Sequence, residues 1–335
     1  MKEVLLQVEN LSVGFHTYRG DIHAVRNISY NLHKGEALGI VGESGCGKSV
    51  SVHAIMQLLP EENSFVKSGR AFLGEKELLS LKERDMCKIR GNKISMIFQD
   101  PMTSLNPVLK IGNQMMEGIM VHKKVSKEEA RKQAAELLQA VGISSPETRL
   151  NSYPHQFSGG MRQRVMIAMA LACKPGIIIA DEPTTALDVT IQAQILELMG
   201  NLKETFQTSI ILISHDLGVI ATLCDRVLVM YAGELLEGGS AEDVFYRAAH
   251  PYTQGLLASL PGTAANGKDK LHVIEGQPPN LLKEIKGCPF LPRCKYAMEI
   301  CGREIPPKNT VDCEHWVKCW LNYKNGGGRS WLKIL

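Results

Sequence analysis

The stretch Ala37-Leu-Gly-Ile-Val41-Gly42-Glu43-Ser44-Gly45-Cys46-Gly47-Lys48-Ser49 decides how the chain is read. Ala37–Val41 is uncharged and apolar and predicts a buried strand. Gly42 to Ser49 then match the pattern G-x-x-x-x-G-K-[ST]. A helical pattern, Ser49–Leu59, starts at once, with Val50 in its first turn. Glycines let such a loop curl with its backbone N–H groups pointing inward, and the helix N-terminus adds partial positive charge. Strand, loop and helix in this order make a phosphate cradle. Lys48 is placed to reach β- and γ-phosphates, and the Ser49 hydroxyl to ligate Mg²⁺. Backbone groups of Gly42, Ser44, Gly45, Cys46, Gly47 and Val50 complete the expected nucleotide contacts. At Cys46 a small side chain suffices, because the backbone does the binding.

Outward from this loop, Ile94–Phe98, Ile177–Ala180, Ser209–Ile213 and Arg226–Met230 read as further buried strands. They alternate with longer amphipathic runs, the pattern of an α/β domain with a largely parallel sheet. Leu5–Val8 and His23–Leu32 alternate polar and apolar residues and predict antiparallel strands. Between Gln99 and Gly160 strands give way to helical patterns. The clearest is Ser126–Val141, with Ser126 as N-cap, Glu129 at the capping-box position and Gly142 beyond its end. This region reads as a helical insert. In Ile177-Ile-Ile-Ala-Asp181-Glu182 the first carboxylate emerges at the carboxyl end of a strand, where α/β proteins bind ligands. Asp181 is suited to hold Mg²⁺ through its water shell, and Glu182 to orient or deprotonate an attacking water.

Composition narrows the class. A chain of 335 residues has room for two domains of ~150 residues. With 44% hydrophobic and 22% charged residues it is neither disordered nor fibrous. A net charge of +3 lacks the broad basic excess of a nucleic-acid binder. No apolar run nears the ~20 residues that cross a bilayer, and the longest, Val165 to Cys173, reads as part of a buried helix. MKEVLLQVEN has no basic region ahead of an apolar core, so no signal peptide is expected. Charge is uneven: residues 261–335 carry net +5 and the remainder net −2, which suggests a second unit after about residue 250. Pro278-Pro279, Pro289, Pro292 and Pro306-Pro307 predict that this unit is irregular, and Gly326-Gly327-Gly328 reads as a hinge before a short tail.

Phe157-Ser-Gly-Gly-Met-Arg-Gln163 resembles the signature motif of ATP-binding cassette (ABC) proteins, although Phe157 and Met161 stand where many members carry Leu and Gln. Gln99 matches that family's Q-loop, Ala186-Leu187-Asp188 its D-loop, and Ser214-His215-Asp216 its switch histidine. Phe15 matches the aromatic that stacks on adenine. These elements occur in family order and cover about residues 4–240. The resemblance implies an α/β fold: an ABC-type P-loop NTPase core with an antiparallel β-subdomain and a helical insert. It also implies a head-to-tail dimer with ATP sandwiched between cassettes. Ser158, Gly159, Gly160 and Asp188 of one cassette would then face the nucleotide of the other. Within a cassette, Gln99 would join Ser49 and Asp181 at Mg²⁺, and Glu182, His215 and Gln99 would carry catalysis. Each motif occurs once, so one chain cannot close this sandwich alone. Ser158-Gly-Gly also opens a helical run to Cys173, a second anion site that one chain offers to another.

Phe98-Gln-Asp-Pro-Met-Thr-Ser-Leu-Asn-Pro107 and His250-Pro-Tyr-Thr253 resemble the ATPase subunits of dipeptide and oligopeptide importers, whose C-terminal extension begins at the second stretch. The implied organisation is a nucleotide-binding domain over 1–245 and a Cys-rich extension over 246–335. The domain would comprise a core over 1–98 and 163–245 with an insert over 99–162. The implied function is ATP hydrolysis powering peptide import. Implied partners are a second ABC ATPase (preferably a related chain giving a heterodimer, with a homodimer as the alternative), two membrane permease subunits and, indirectly, an extracytoplasmic peptide-binding protein. No nucleic acid is expected. The chain would sit peripherally at the cytoplasmic face of the membrane. An ATPase of a nickel or other-solute importer, or a non-transport ABC protein acting on ribosomes or DNA, is the alternative; the chain lacks the long basic or coiled-coil insertions of the latter.

Of nine cysteines, Cys46, Cys87, Cys173 and Cys224 are scattered. The others run Cys288-x5-Cys294-x6-Cys301-x17-Cys319, with Cys313 inside the last interval. Disulfides are disfavoured in a cytosolic chain, so clustered thiols suggest a metal. No C-x2-C pair favours a zinc ribbon and the spacing is looser than a ferredoxin run, leaving iron–sulfur, zinc and free thiols open. The importer resemblance points to a [4Fe–4S] cluster on Cys288, Cys294, Cys301 and Cys319, with zinc as the alternative and Cys313 as a non-ligand.

Overall fold

The computed structural model describes residues 3–185, 187–260 and 273–323. The chain divides into two compact units, each drawn from separated segments. The first unit takes Met1–Val4, Leu32–Ala37 and Ser80–Ile213; the second takes Leu5–Asn31, Leu38–Leu79 and Ser214–Leu335.

In the first unit, Ile94–Ile97 pairs in parallel with Ile177–Asp181, which pairs in parallel with Ser209–Ser214. Ile177–Asp181 and Ser209–Ser214 are buried along their whole length. A parallel strand covered on both faces can hold isoleucine at every position, hence the unbroken apolar runs. The second of these strands ends at Asp181, opposite Ile213, so the first carboxylate closes it. The same unit carries the helices Ile111–Lys123, Lys127–Ala140, Gly159–Ala170 and Val189–Phe206, of which Gly159–Ala170 packs on Ile94–Ile97. Lys127–Ala140 starts as expected, with the Ser126 side chain accepting from the Glu129 N–H. It buries Ala130, Ala134, Leu137 and Leu138, a stripe at helical spacing, and packs on Ile111–Lys123, Gly159–Ala170 and the short helix Pro146–Arg149.

In the second unit, Gly20–His33, Val4–Thr17, Ser64–Leu73 and Lys76–Glu77 form a sheet in that order. Val4–Thr17 runs antiparallel to Ser64–Leu73, from Leu6 opposite Leu73 to Phe15 opposite Ser64. The antiparallel expectation for Leu5–Val8 is met by a longer strand. Ala37–Val41, buried throughout, pairs in parallel with Arg226–Tyr231. The helix behind the glycine loop, Lys48–Ile55, is shorter than the expected Ser49–Leu59, and Gln57 beyond it lies at a positive φ of 49°.

The extension departs from expectation. Its prolines predict irregular structure, yet Asn309–Asp312 and His315–Val317 form a hairpin that joins the antiparallel edge of Glu234–Ser240. Val317 lies opposite Glu237 and Trp316 opposite Gly238. The physical reason is the open edge of Glu234–Ser240, whose backbone donors and acceptors need partners. The prolines punctuate connections and leave this hairpin free of them. Glu237, fully buried, ties the region together. Its carboxylate accepts from the Ala249 N–H at 2.6 Å, the His250 N–H at 3.0 Å and the His315 ring at 2.7 Å. Gly326-Gly327-Gly328 lies outside the described residues.

Candidate active site

The loop Gly42–Ser49 belongs to the second unit. Its shape is set by two glycines that no other residue could replace. A Cβ on Gly42 would lie 2.0 Å from the Met230 carbonyl oxygen, and one on Gly47, at φ +104°, 2.3 Å from the Ala24 carbonyl oxygen. Backbone passes too close for any side chain at either position. Lys48 is only 4% exposed, and its ammonium donates to the carbonyls of Gly42 at 2.8 Å and Glu43 at 3.1 Å. The cation therefore lies across the loop that bears it. Ser44 and Gly45 are exposed at the tip, and Ser49 and Val50 are half-buried in the first helical turn. Cys46 is buried; burial pushes its thiol pKa up, against the opposing pull of Lys48. It is a neutral packing group, and its carbonyl accepts from the Gly233 N–H at 2.9 Å. Phe15, in the same unit, is half-buried near the end of its strand. His215 is exposed, one residue after the strand Ser209–Ser214, and Asp216 beside it caps the helix Leu217–Leu223 through the Gly218 N–H at 2.7 Å.

The first unit holds the acidic pair. Asp181 is 3% and Glu182 9% exposed. Glu182 adopts φ +46°, a left-handed conformation that costs a non-glycine residue on the order of 1 kcal/mol. Its N–H donates to the Ile213 carbonyl at 2.9 Å, which holds the turn. The Glu182 carboxylate accepts from Gln99 Nε2 at 3.0 Å and from Thr185 Oγ1 at 2.9 Å. Gln99 and Glu182, 83 positions apart, are thus brought into direct contact. Thr185 was not singled out by sequence, although its place in the turn after the acids is the signal that could have found it.

Ser158 caps Gly159–Ala170, its hydroxyl accepting from the Met161 N–H at 3.3 Å, and Ser158 and Gly159 are exposed. The helix N-terminus they form lies open at the surface, where an anion can approach its N–H groups. Arg162 secures the preceding turn by donating to the carbonyls of Pro154 and Phe157, both at 3.0 Å. Asp188 is exposed and caps Val189–Phe206 through the Ile191 N–H at 2.9 Å. Ala186 lies outside the described residues.

The expected metal centre is not supported among the described residues. Cys288, Cys294, Cys301 and Cys319 line one small cavity, together with His250 and Phe290. Yet among the described residues no three His, Cys, Asp or Glu side chains form a group able to hold a metal ion. Burial pushes the Cys288 thiol up to about 12 and the Cys319 thiol up to about 11, and neighbouring thiols add to both. Buried thiols in this state behave as small apolar groups. Cys313 is exposed in the hairpin turn after Asp312 and is not among the cavity's lining residues.

The similarities of the chain agree with this geometry. The ABC transporter family matches residues 25–185, and the oligopeptide/dipeptide transporter C-terminal region matches residues 236–301. The oligopeptide transport ATP-binding protein OppD of Bacillus subtilis (strain 168) is 54% identical over 317 residues, 95% of this chain and 88% of that protein. The dipeptide transport ATP-binding protein DppD of the same organism is 54% identical over 319 residues, 95% of each. Among solved structures, the ATP-binding cassette MJ0796, a dimer in a post-hydrolysis state bound to ADP and Pi, is 29% identical with a TM-score of 0.63, covering 70% of this chain and 98% of its own. The chain belongs to the ABC transporter ATP-binding proteins, in their oligopeptide/dipeptide branch.

Proposed function

We propose that the protein is the ATP-binding and ATP-hydrolysing subunit of an importer of dipeptides or oligopeptides, acting through separate membrane permease subunits. The observation that carries this reading is the Lys48 ammonium, buried across a loop of backbone that admits no side chain at Gly42 or Gly47. Such a loop offers N–H groups, a fixed cation and a helix N-terminus to a triphosphate. Lys48 binds the β- and γ-phosphates, and Ser49, Asp181 and Gln99 hold Mg²⁺, which neutralises phosphate charge when bound. Backbone groups from Gly42 through Val50, with Ser44, Gly45, Cys46 and Gly47 between them, complete the contacts, and Phe15 stacks on adenine.

Glu182 takes the proton of the water that attacks the γ-phosphate. The contacts from Gln99 and Thr185 support this role, because a carboxylate held from two sides is aimed before the water arrives. His215 orients the same water or the phosphate. Ser158, Gly159, Gly160 and Asp188 serve the nucleotide of a second cassette, and the exposure of Ser158, Gly159 and Asp188 is what a surface that closes on another chain requires. That second cassette is a related chain. No helix among the described residues is long and apolar enough to cross a membrane, which fits a subunit docked peripherally on permeases at the cytoplasmic face. An extracytoplasmic peptide-binding protein delivers the cargo to those permeases.

The importer resemblance favours a [4Fe–4S] cluster on Cys288, Cys294, Cys301 and Cys319 over zinc; these four cysteines line one small cavity, although no metal-holding group is formed among the described residues. Bound there, the cluster would staple a proline-rich segment, and Cys288, Cys294 and Cys319 would have to give up protons that burial favours on them. Purified protein should absorb broadly near ~400 nm. Colourless protein with one zinc per chain would sink this assignment.

For the ATPase, Glu182→Gln in the assembled transporter should lower turnover by on the order of 10²-fold or more while ATP affinity is retained. Turnover equal to the parent would remove Glu182 as the base. Recovery of the chain with ribosomes or DNA, in place of permeases, would overturn the transport reading.

A further inference from the structure

Glu43, the second residue of the glycine loop, has its backbone N–H, backbone carbonyl and carboxylate all engaged. Its backbone N–H donates to the Tyr252 hydroxyl at 2.9 Å. Its carboxylate accepts from Arg293 Nη1 at 2.7 Å. Its backbone carbonyl accepts from the Lys48 ammonium at 3.1 Å. Tyr252 lies on the helix Pro251–Ala258 and Arg293 ends the 3₁₀ turn Leu291–Arg293, so both partners come from the extension. The Arg293 side chain is 5% exposed and that of Glu43 25%, so the guanidinium is shielded from water while the carboxylate is half-buried. Arg293 Nη1 also contacts the Tyr231 hydroxyl at 3.3 Å, while Nη2 and Nε donate to the carbonyls of Ile274 and Glu275 at 2.9 and 3.1 Å. A planar guanidinium engaged on all sides is fixed in place, so the loop residue must come to it.

We propose that Arg293 is a positioning residue for the nucleotide: through Glu43 it sets the loop carbonyl that holds Lys48, and so the extension tunes ATP affinity. This rests on the nucleotide reading of the loop. The chain from extension to phosphate is short: Arg293 to the Glu43 carboxylate, the Glu43 backbone to Lys48, and Lys48 to the phosphates. Tyr252 is the second tether: it accepts from the N–H of the Gly42–Glu43 peptide, whose carbonyl oxygen, on Gly42, accepts from Lys48 at 2.8 Å. Burial pushes its phenol pKa up, so the hydroxyl stays neutral and accepts the Glu43 N–H across the working pH range.

The test titrates the full-length protein with Mg-ATP and measures turnover in the assembled transporter. Arg293→Met should raise the ATP Kd about fivefold or more, with kcat at saturating ATP within about twofold of the parent. Glu43→Gln, which leaves the extension untouched, should shift Kd in the same direction. The double variant should be no weaker than the weaker single variant, because both remove one interaction. Arg293→Lys, keeping the charge, should recover part of the loss. A Kd unchanged in both single variants, or two losses that multiply in the double variant, would overturn the proposal. If Arg293→Met only unfolds the extension, Glu43→Gln still decides. Lys48→Ala separates the two readings. Parent-like ATP binding in that variant defeats the nucleotide reading itself, whereas loss there with unchanged Arg293→Met and Glu43→Gln defeats only the role of Arg293.

Discussion

The glycine loop and the C-terminal extension reach order by opposite routes. The loop is built almost entirely from consecutive residues: Lys48 bonds to carbonyls five and six positions earlier, and the strand before it is buried along its whole length. The extension is held by partners far away in sequence. Glu237 receives His315 across 78 positions, and Arg293 reaches Glu43 across 250. Local construction makes a motif that survives as a pattern of residue types. Long-range construction leaves polar residues whose partners a linear reading cannot supply.

The largest effect that can break this contrast is expected at Glu237→Ala. Removing a fully buried carboxylate leaves two N–H groups and a histidine unpaired, a loss of about 3–5 kcal/mol that thermal or urea unfolding should register. Unchanged stability would mean that the extension is held by its hairpin alone. Gly47→Ala comes next. A Cβ 2.3 Å from the Ala24 carbonyl oxygen, at a positive φ, should cost about 2–3 kcal/mol and weaken ATP binding, read by calorimetry. If it bound ATP normally, the loop would be more adaptable than its close approach implies. Thr185→Val is the smallest, removing one hydrogen bond to Glu182, worth about 1 kcal/mol. It should lower kcat several-fold at unchanged ATP Kd, sharpening the assignment of the acidic turn. A change in Kd with constant kcat would place Thr185 in binding.

Much of the fold was legible because its signals are periodic or contiguous. Ala37–Val41 appeared with the expected bounds, and Ile94–Ile97, Ile177–Asp181 and Ser209–Ser214 within one residue of expectation. The Ser126 cap was readable because a cap and its partner lie three residues apart. The hairpin Asn309–Val317 was not, since its strands are short and its stability comes from the edge of Glu234–Ser240 rather than from its own pattern. In the site, Gln99 and Glu182 were each recognisable, but their contact depended on the folding of the residues between them.

By itself the sequence determined the phosphate cradle, the acidic strand end, the order of motifs and the branch of the family. These are short-range features, in which residue type and spacing already fix backbone geometry and chemistry. Only the tertiary structure decided that Thr185 and Gln99 grip Glu182, that the extension completes a sheet edge, and that Arg293 and Tyr252 hold Glu43. Each of those contacts depends on which backbone segments pass close to one another. Side-chain hydrogen bonds act over about 3 Å, so residues distant in the chain acquire a partner only when the fold brings them within that reach.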